Sequence, residues 1–161
     1  MYKPSESMCA LINRRINEEE YSSRLYHAMH LWLEDKMYQG SAKLYQKFDH
    51  EELDHAQWAI DFLLKTGCCP AIQTIEAPPN EFESLNQIIN LTLEHEYKIS
   101  DSCSDMMRIA MQTGDMFAFG LFQKYVNEQV EELGKALDLV KLASLYGADI
   151  HLLDIALGKL A

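Results

Sequence analysis

Apolar residues recur along most of this chain at alternating steps of three and four, the spacing that keeps them on one side of a helix. After Ser84, the residues Leu85, Ile89, Thr92, Glu96, Ile99, Cys103, Met106 and Ala110 fall on one line. After Asp115, Phe122, Val126, Gln129, Leu133, Leu137 and Val140 follow nearly the same rhythm. Ile12, Ile16, Glu19, Tyr26 and Leu33 share a face further upstream, as do Leu44, Phe48, Glu52, His55, Ala59 and Phe62. The pattern predicts helices over about 6–36, 41–66, 84–113 and 115–146, with a short fifth over about 149–159. Ser5, Ser41, Ser84 and Asp115 are placed to open the four long helices. The first stops before Gly40, and Gly67 closes the second at its C′ position.

Seams this regular belong to helices packed nearly parallel, so the fold class is all-α, a four-helix bundle. The first and third connections are short and join antiparallel neighbours. The second, Cys68 to Phe82, holds three of the four prolines and fits neither helix nor strand. Fifteen residues are enough to travel the length of the bundle as a crossover.

The seams are interrupted by polar residues near mid-helix: Glu19 in the first, Glu52 and His55 in the second, Glu96 in the third and Gln129 in the fourth. A single glutamate on an apolar stripe ordinarily lies at its edge and reaches water by its stem. Burying several carboxylates in one core is costly unless cations neutralise them, so four coincident interruptions point to a shared metal site. Glu52 and His55, three apart, project from one helical face and can bind one ion. Carboxylates from several helices joined to a Glu-x-x-His element form the ligand recipe of carboxylate-bridged diiron sites. Oxygen-rich ligation with one imidazole suits iron or manganese better than a thiolate-seeking metal. A two-metal centre of this kind holds its ions about 3.5–4 Å apart.

Composition limits the partners. Fourteen basic and 25 acidic residues give a formal charge of −11, which disfavours duplex nucleic acid and anionic membranes and favours cations. The first six residues lack the apolar core of a signal peptide, and no uncharged run is long enough to span a membrane. Cys9, Cys68, Cys69 and Cys103 make neither a CxxC pair nor a disulfide framework, so reduced thiols in a cytoplasm are expected.

Four stretches carry a family resemblance: Asn17-Glu18-Glu19-Glu20-Tyr21-Ser22-Ser23 with Leu25-Tyr26, Glu51-Glu52-Leu53-Asp54-His55, Glu94-His95-Glu96-Tyr97-Lys98, and Tyr125-Val126-Asn127-Glu128-Gln129. With them the chain resembles the ferritin family, specifically its non-haem bacterial branch, over essentially its whole length. The resemblance implies a ferritin-like bundle with one long crossover and a short fifth helix. It implies that Glu19, Glu52 and His55 hold one iron, and that Glu52 bridges to a second held by Glu96 and a neighbouring glutamate, with Gln129 lining that side. A third iron position would involve Glu51, Glu128 and some of Glu131 and Glu132. Tyr26 could give an electron or a hydrogen bond to bound oxygen species. The implied function is ferroxidase activity, oxidation of Fe(II) by O2 or H2O2, with the ferric product stored in a 24-subunit shell of identical chains.

Bacterioferritins repeat Glu-x-x-His on the fourth helix and use a second-helix methionine for haem. Here Glu128-Gln129-Val130-Glu131 has no histidine and Glu52 to Ala59 no methionine, so the resemblance implies an asymmetric, haem-free centre. Bacterial ferritins often carry a tryptophan immediately before the Tyr-Val pair, where this chain has Lys124. His151 lies on the terminal helix, which lines a channel in the family. Two other readings stay open on the residues alone: a subunit that binds iron without turnover, and a peroxide-scavenging diiron enzyme.

Overall fold

The computed structural model describes residues 2–161, and among them the regular elements are all helices. They are α1 (Glu6–Asp35), α2 (Gln39–Lys65), α3 (Leu85–Thr113), α4 (Met116–Tyr146) and α5 (Ile150–Gly158). The caps of α1, α3 and α4 are local, as the sequence predicts: Ser5 accepts from the Met8 amide, Ser84 from Gln87 and Asp115 from Ala118. Asp149 likewise caps α5. Gly67 and Gly114 take the left-handed conformation at the ends of α2 and α3.

The start of α2 departs from expectation. The helix begins at Gln39, two residues before Ser41, and Tyr38 makes no side-chain cap. The capping carboxylate comes from another element. Asp154 on α5 accepts from the Gly40 amide at 3.2 Å, the Ser41 amide at 2.7 Å and the Ser41 hydroxyl at 2.6 Å. Gly40 does not stop α1; Met37, at φ 65°, makes that turn. Gly40 instead meets Gly158 backbone to backbone, and a Cβ at either position would collide with the other helix.

α1 pairs with α2 and α3 with α4 as antiparallel hairpins. The crossover returns the chain along α1, where Asn13 accepts from the Ala71 amide at 2.7 Å and Asn17 donates to the Thr74 carbonyl at 3.0 Å. Phe82 then enters the core beside Trp32, so α3 starts at the end of the bundle where α2 starts. The hairpin also brings the start of α1 to the end of α2. There Cys9 and Cys68, 59 residues apart, pair as a disulfide, which corrects the expectation of four reduced thiols. Cys69 and Cys103 remain free.

The apolar interior falls into two clusters. One gathers Met29, Leu33, Tyr45, Leu85, Leu139, Leu153 and Leu157 toward the α5 end. The other gathers Met8, Ile12, Leu63, Met106, Phe122 and Tyr125 toward the opposite end. Between them lies a layer of buried polar side chains, and the candidate site is that layer. No helix is long and apolar enough to cross a membrane among the described residues.

Candidate metal centre

Glu19, Glu52 and His55 meet in this layer, all three buried, with one liganding atom of each within 4.8 Å of the others. His55 Nδ1 stands 3.1 Å from Glu52 Oε2 and 3.8 Å from Glu19 Oε2. The other oxygen of Glu19 faces the Arg15 guanidinium one turn back, 2.9 Å from Nε. Tyr125 on α4 donates to the His55 main-chain carbonyl at 2.5 Å, which fixes this turn of α2 against α4.

Glu96 enters the same layer from α3. It accepts a hydrogen bond from Tyr26, and Gln129 Nε2 donates to its Oε2 at 3.1 Å and to its carbonyl at 3.3 Å. Gln129 therefore orients Glu96 as well as lining its side of the site. The glutamate adjoining Glu96 in space is Glu132, which shares a small void with Tyr26 and Glu96; Glu94 is exposed.

Burial makes free carboxylate charge costly in this layer. Burial, then the neighbouring Glu19 charge, pushes the Glu52 carboxyl well above its ordinary range. Burial pushes Glu96 up to about 8 despite the Tyr26 bond. Buried carboxylates set beside other carboxylates favour the protonated form unless positive charge neutralises them. A cation would do so, and oxygen donors with one imidazole fit a hard or borderline divalent ion such as Fe(II).

A second grouping lies toward the surface, where His55, Glu128 and Glu132 also bring liganding atoms within 4.8 Å of one another. An open cleft of about 470 Å³, lined by Glu51, Asp54, His55, Trp58 and Glu128, leads from solvent to it. Of the four residues expected at a third iron position, Glu128 and Glu132 belong to this grouping. Glu51 joins Glu132 through Lys135, and Glu131 points to solvent outside both groupings. His151 is exposed on α5.

Several participants had no signal in the sequence. Arg15 is fully buried beneath Glu19, with Nη1 3.0 Å from both Cys103 Sγ and Glu18. Burial opposes its charge, but Glu19 holds it protonated. His95 meets the Ser22 hydroxyl at 2.7 Å, and burial lowers it to about 4, so it stays neutral. The tryptophan missing at Lys124 has a counterpart on α2. The Trp58 ring sits 4.8 Å from His55 and 5.4 Å from Tyr125, with the Lys124 ammonium 3.5 Å above it.

Known proteins resemble this chain over nearly its whole length. Residues 9–145 match the family model described as a ferritin-like domain. A probable bacterial non-heme ferritin-like protein of Haemophilus influenzae is 34% identical, covering 98% of this chain and 97% of its own. A bacterial non-heme ferritin of Escherichia coli is 33% identical over 99% and 98% of the two chains. Among solved structures, an open-pore ferritin from the archaeon Archaeoglobus fulgidus superposes with a TM-score of 0.92 at 33% identity, covering 96% of each chain.

Proposed function

The chain belongs to the ferritin family, and from that premise we propose that it is an iron-storage subunit that oxidises Fe(II) at the buried layer and passes the ferric product to a shell of identical subunits. One observation carries the reading: all four bundle helices contribute a carboxylate, imidazole or amide to a single buried layer between two apolar clusters. A subunit that only packed beside active partners would gain stability by filling that layer with apolar residues.

Fe(II) is the substrate here. Glu19, Glu52 and His55 receive one ion; Glu96, with Glu132 beside it and Gln129 orienting it, receives the second, and Glu52 stands between the two sets. Arriving ions displace the protons held on Glu52 and Glu96, so binding releases acid. Each Fe(II) gives up one electron, and dioxygen takes two electrons with two protons to the level of hydrogen peroxide. Hydrolysis of the two Fe(III) releases further protons and ferric oxo-hydroxide. Oxygen ligation lets the product leave, since no thiolate holds it. The cleft bounded by Glu51, Asp54 and Glu128 supplies an acidic path from solvent to His55.

Stopped-flow absorbance after mixing the iron-free protein with Fe(II) and oxygen tests this directly. Glu52→Ala and His55→Ala are each expected to slow the fast phase at least a hundredfold while leaving the helical circular dichroism unchanged. Wild-type rates in either variant would remove these residues from the site. Oxidation with no iron retained after gel filtration would remove the storage role.

A further inference from the structure

Lys135 stands between two of the outer carboxylates, Glu51 and Glu132. It lies one turn after Glu132 on α4, and its ammonium is 2.9 Å from Glu132 Oε1 and 3.2 Å from Glu51 Oε2, bridging α4 to α2. The lysine lines both the entry cleft and the small void beside Tyr26 and Glu96, so it sits between solvent and the inner layer. It is only half exposed, so the pair is screened less than a surface ion pair. A lysine ammonium is a compact point charge with three donors, able to satisfy two carboxylates at once. A divalent ion bound between Glu51 and Glu132 would have to expel it or sit against it.

We infer that Lys135 is a resident counter-ion that occupies the outer carboxylate group, limits each chain to the two inner cation positions, and leaves Glu132 one free oxygen for the inner pair. This inference rests on the metal-centre reading above and deepens it: the side chain decides how many ions a subunit takes, and of the residues assigned to the inner pair it touches Glu132 alone. Lys135→Gln and Lys135→Met free Glu51 and Glu132 from the ammonium, while Lys135→Arg keeps a positive charge in place.

Equilibrium dialysis of the iron-free, assembled protein against Zn(II), a redox-inert probe, counts the ions. K135Q and K135M are each expected to bind one more zinc per chain than the parent, at least tenfold tighter than any additional zinc on the parent. K135R should match the parent count, and E51Q added to K135Q should abolish the extra ion, which separates it from adventitious surface binding. A K135Q count equal to the parent's, or an extra ion that survives E51Q, overturns the inference and leaves the inner site standing. Failure of the parent to bind zinc in a Glu52- and His55-dependent manner overturns both.

Discussion

At the scale of single residues, the site is a set of carboxylates placed where they are costly. Glu52 and Glu96 both carry folded-state affinities for a proton above their ordinary value of 4.5, Glu96 to about 8. A carboxyl whose proton affinity rises on folding adds stability that is whole below the unfolded value and is lost as pH climbs to the folded one. His95 works in the other direction. Its affinity falls from 6.5 to about 4 on folding, so its penalty develops only as pH drops below 6.5. Between pH 6.5 and 8 the buried glutamates therefore dominate this balance. Through Glu96 the metal-free protein should lose roughly 1.4 kcal/mol per pH unit above pH 6.5, the slope fading near pH 8, and Glu52 adds a loss of the same sign. A divalent cation replaces the protons and should flatten the slope. Denaturant unfolding at pH 6.5, 7.2 and 8.0, with and without Zn(II), reads both; a metal-free protein that gains stability toward pH 8 contradicts the assignment.

At the scale of elements, what the sequence made legible is what is local. Four of the five helices carry a side-chain cap within three residues of the amide it serves, and the mid-helix interruptions at Glu19, Glu52, His55, Glu96 and Gln129 all come together in the buried layer. The start of α2 was illegible because its cap comes from 113 residues away. Arg15 and Lys135 were illegible for a related reason: a cation three or four residues from a glutamate reads as an exposed helical pair, and only the fold puts these two against the site. The Cys9–Cys68 pairing likewise depends on the hairpin. The non-local cap gives a sharp expectation. Asp154→Ala leaves the Gly40 and Ser41 amides and the Ser41 hydroxyl without their acceptor, at a cost of about 2–3 kcal/mol. For a chain of this size that is roughly 4–12 °C in melting temperature. Asp154→Asn, which keeps an acceptor, should recover part of the loss. If D154A melts with the parent, α5 is not held by this contact.

At the scale of the whole molecule, the exposed apolar residues carry the information. Ile72 is 86% exposed, Leu145 75% and Phe117 62%, with Met111 and Met116 beside the α3–α4 turn and Leu152, Ile155 and Leu160 on and after α5. A lone subunit has little reason to keep so many large apolar side chains in water at both ends, whereas a subunit covered by its neighbours does. The proposed oxidation chemistry needs only one chain, because Glu19, Glu52, His55 and Glu96 all come from one subunit. Holding the product needs an enclosed volume. The two functions are therefore separable by mutation. Leu145→Arg combined with Leu152→Arg puts two charges into the α4–α5 end, far from Glu52 and His55, and should break the assembly into small species by analytical ultracentrifugation. The dispersed subunits are expected to keep a fast initial Fe(II) oxidation within about threefold of the parent, but to release ferric product as precipitate, whereas the assembled parent is expected to retain it in solution. Dispersed subunits that still hold iron in solution would show that storage does not need the shell. Loss of fast oxidation together with assembly would show that the centre needs its neighbours to form.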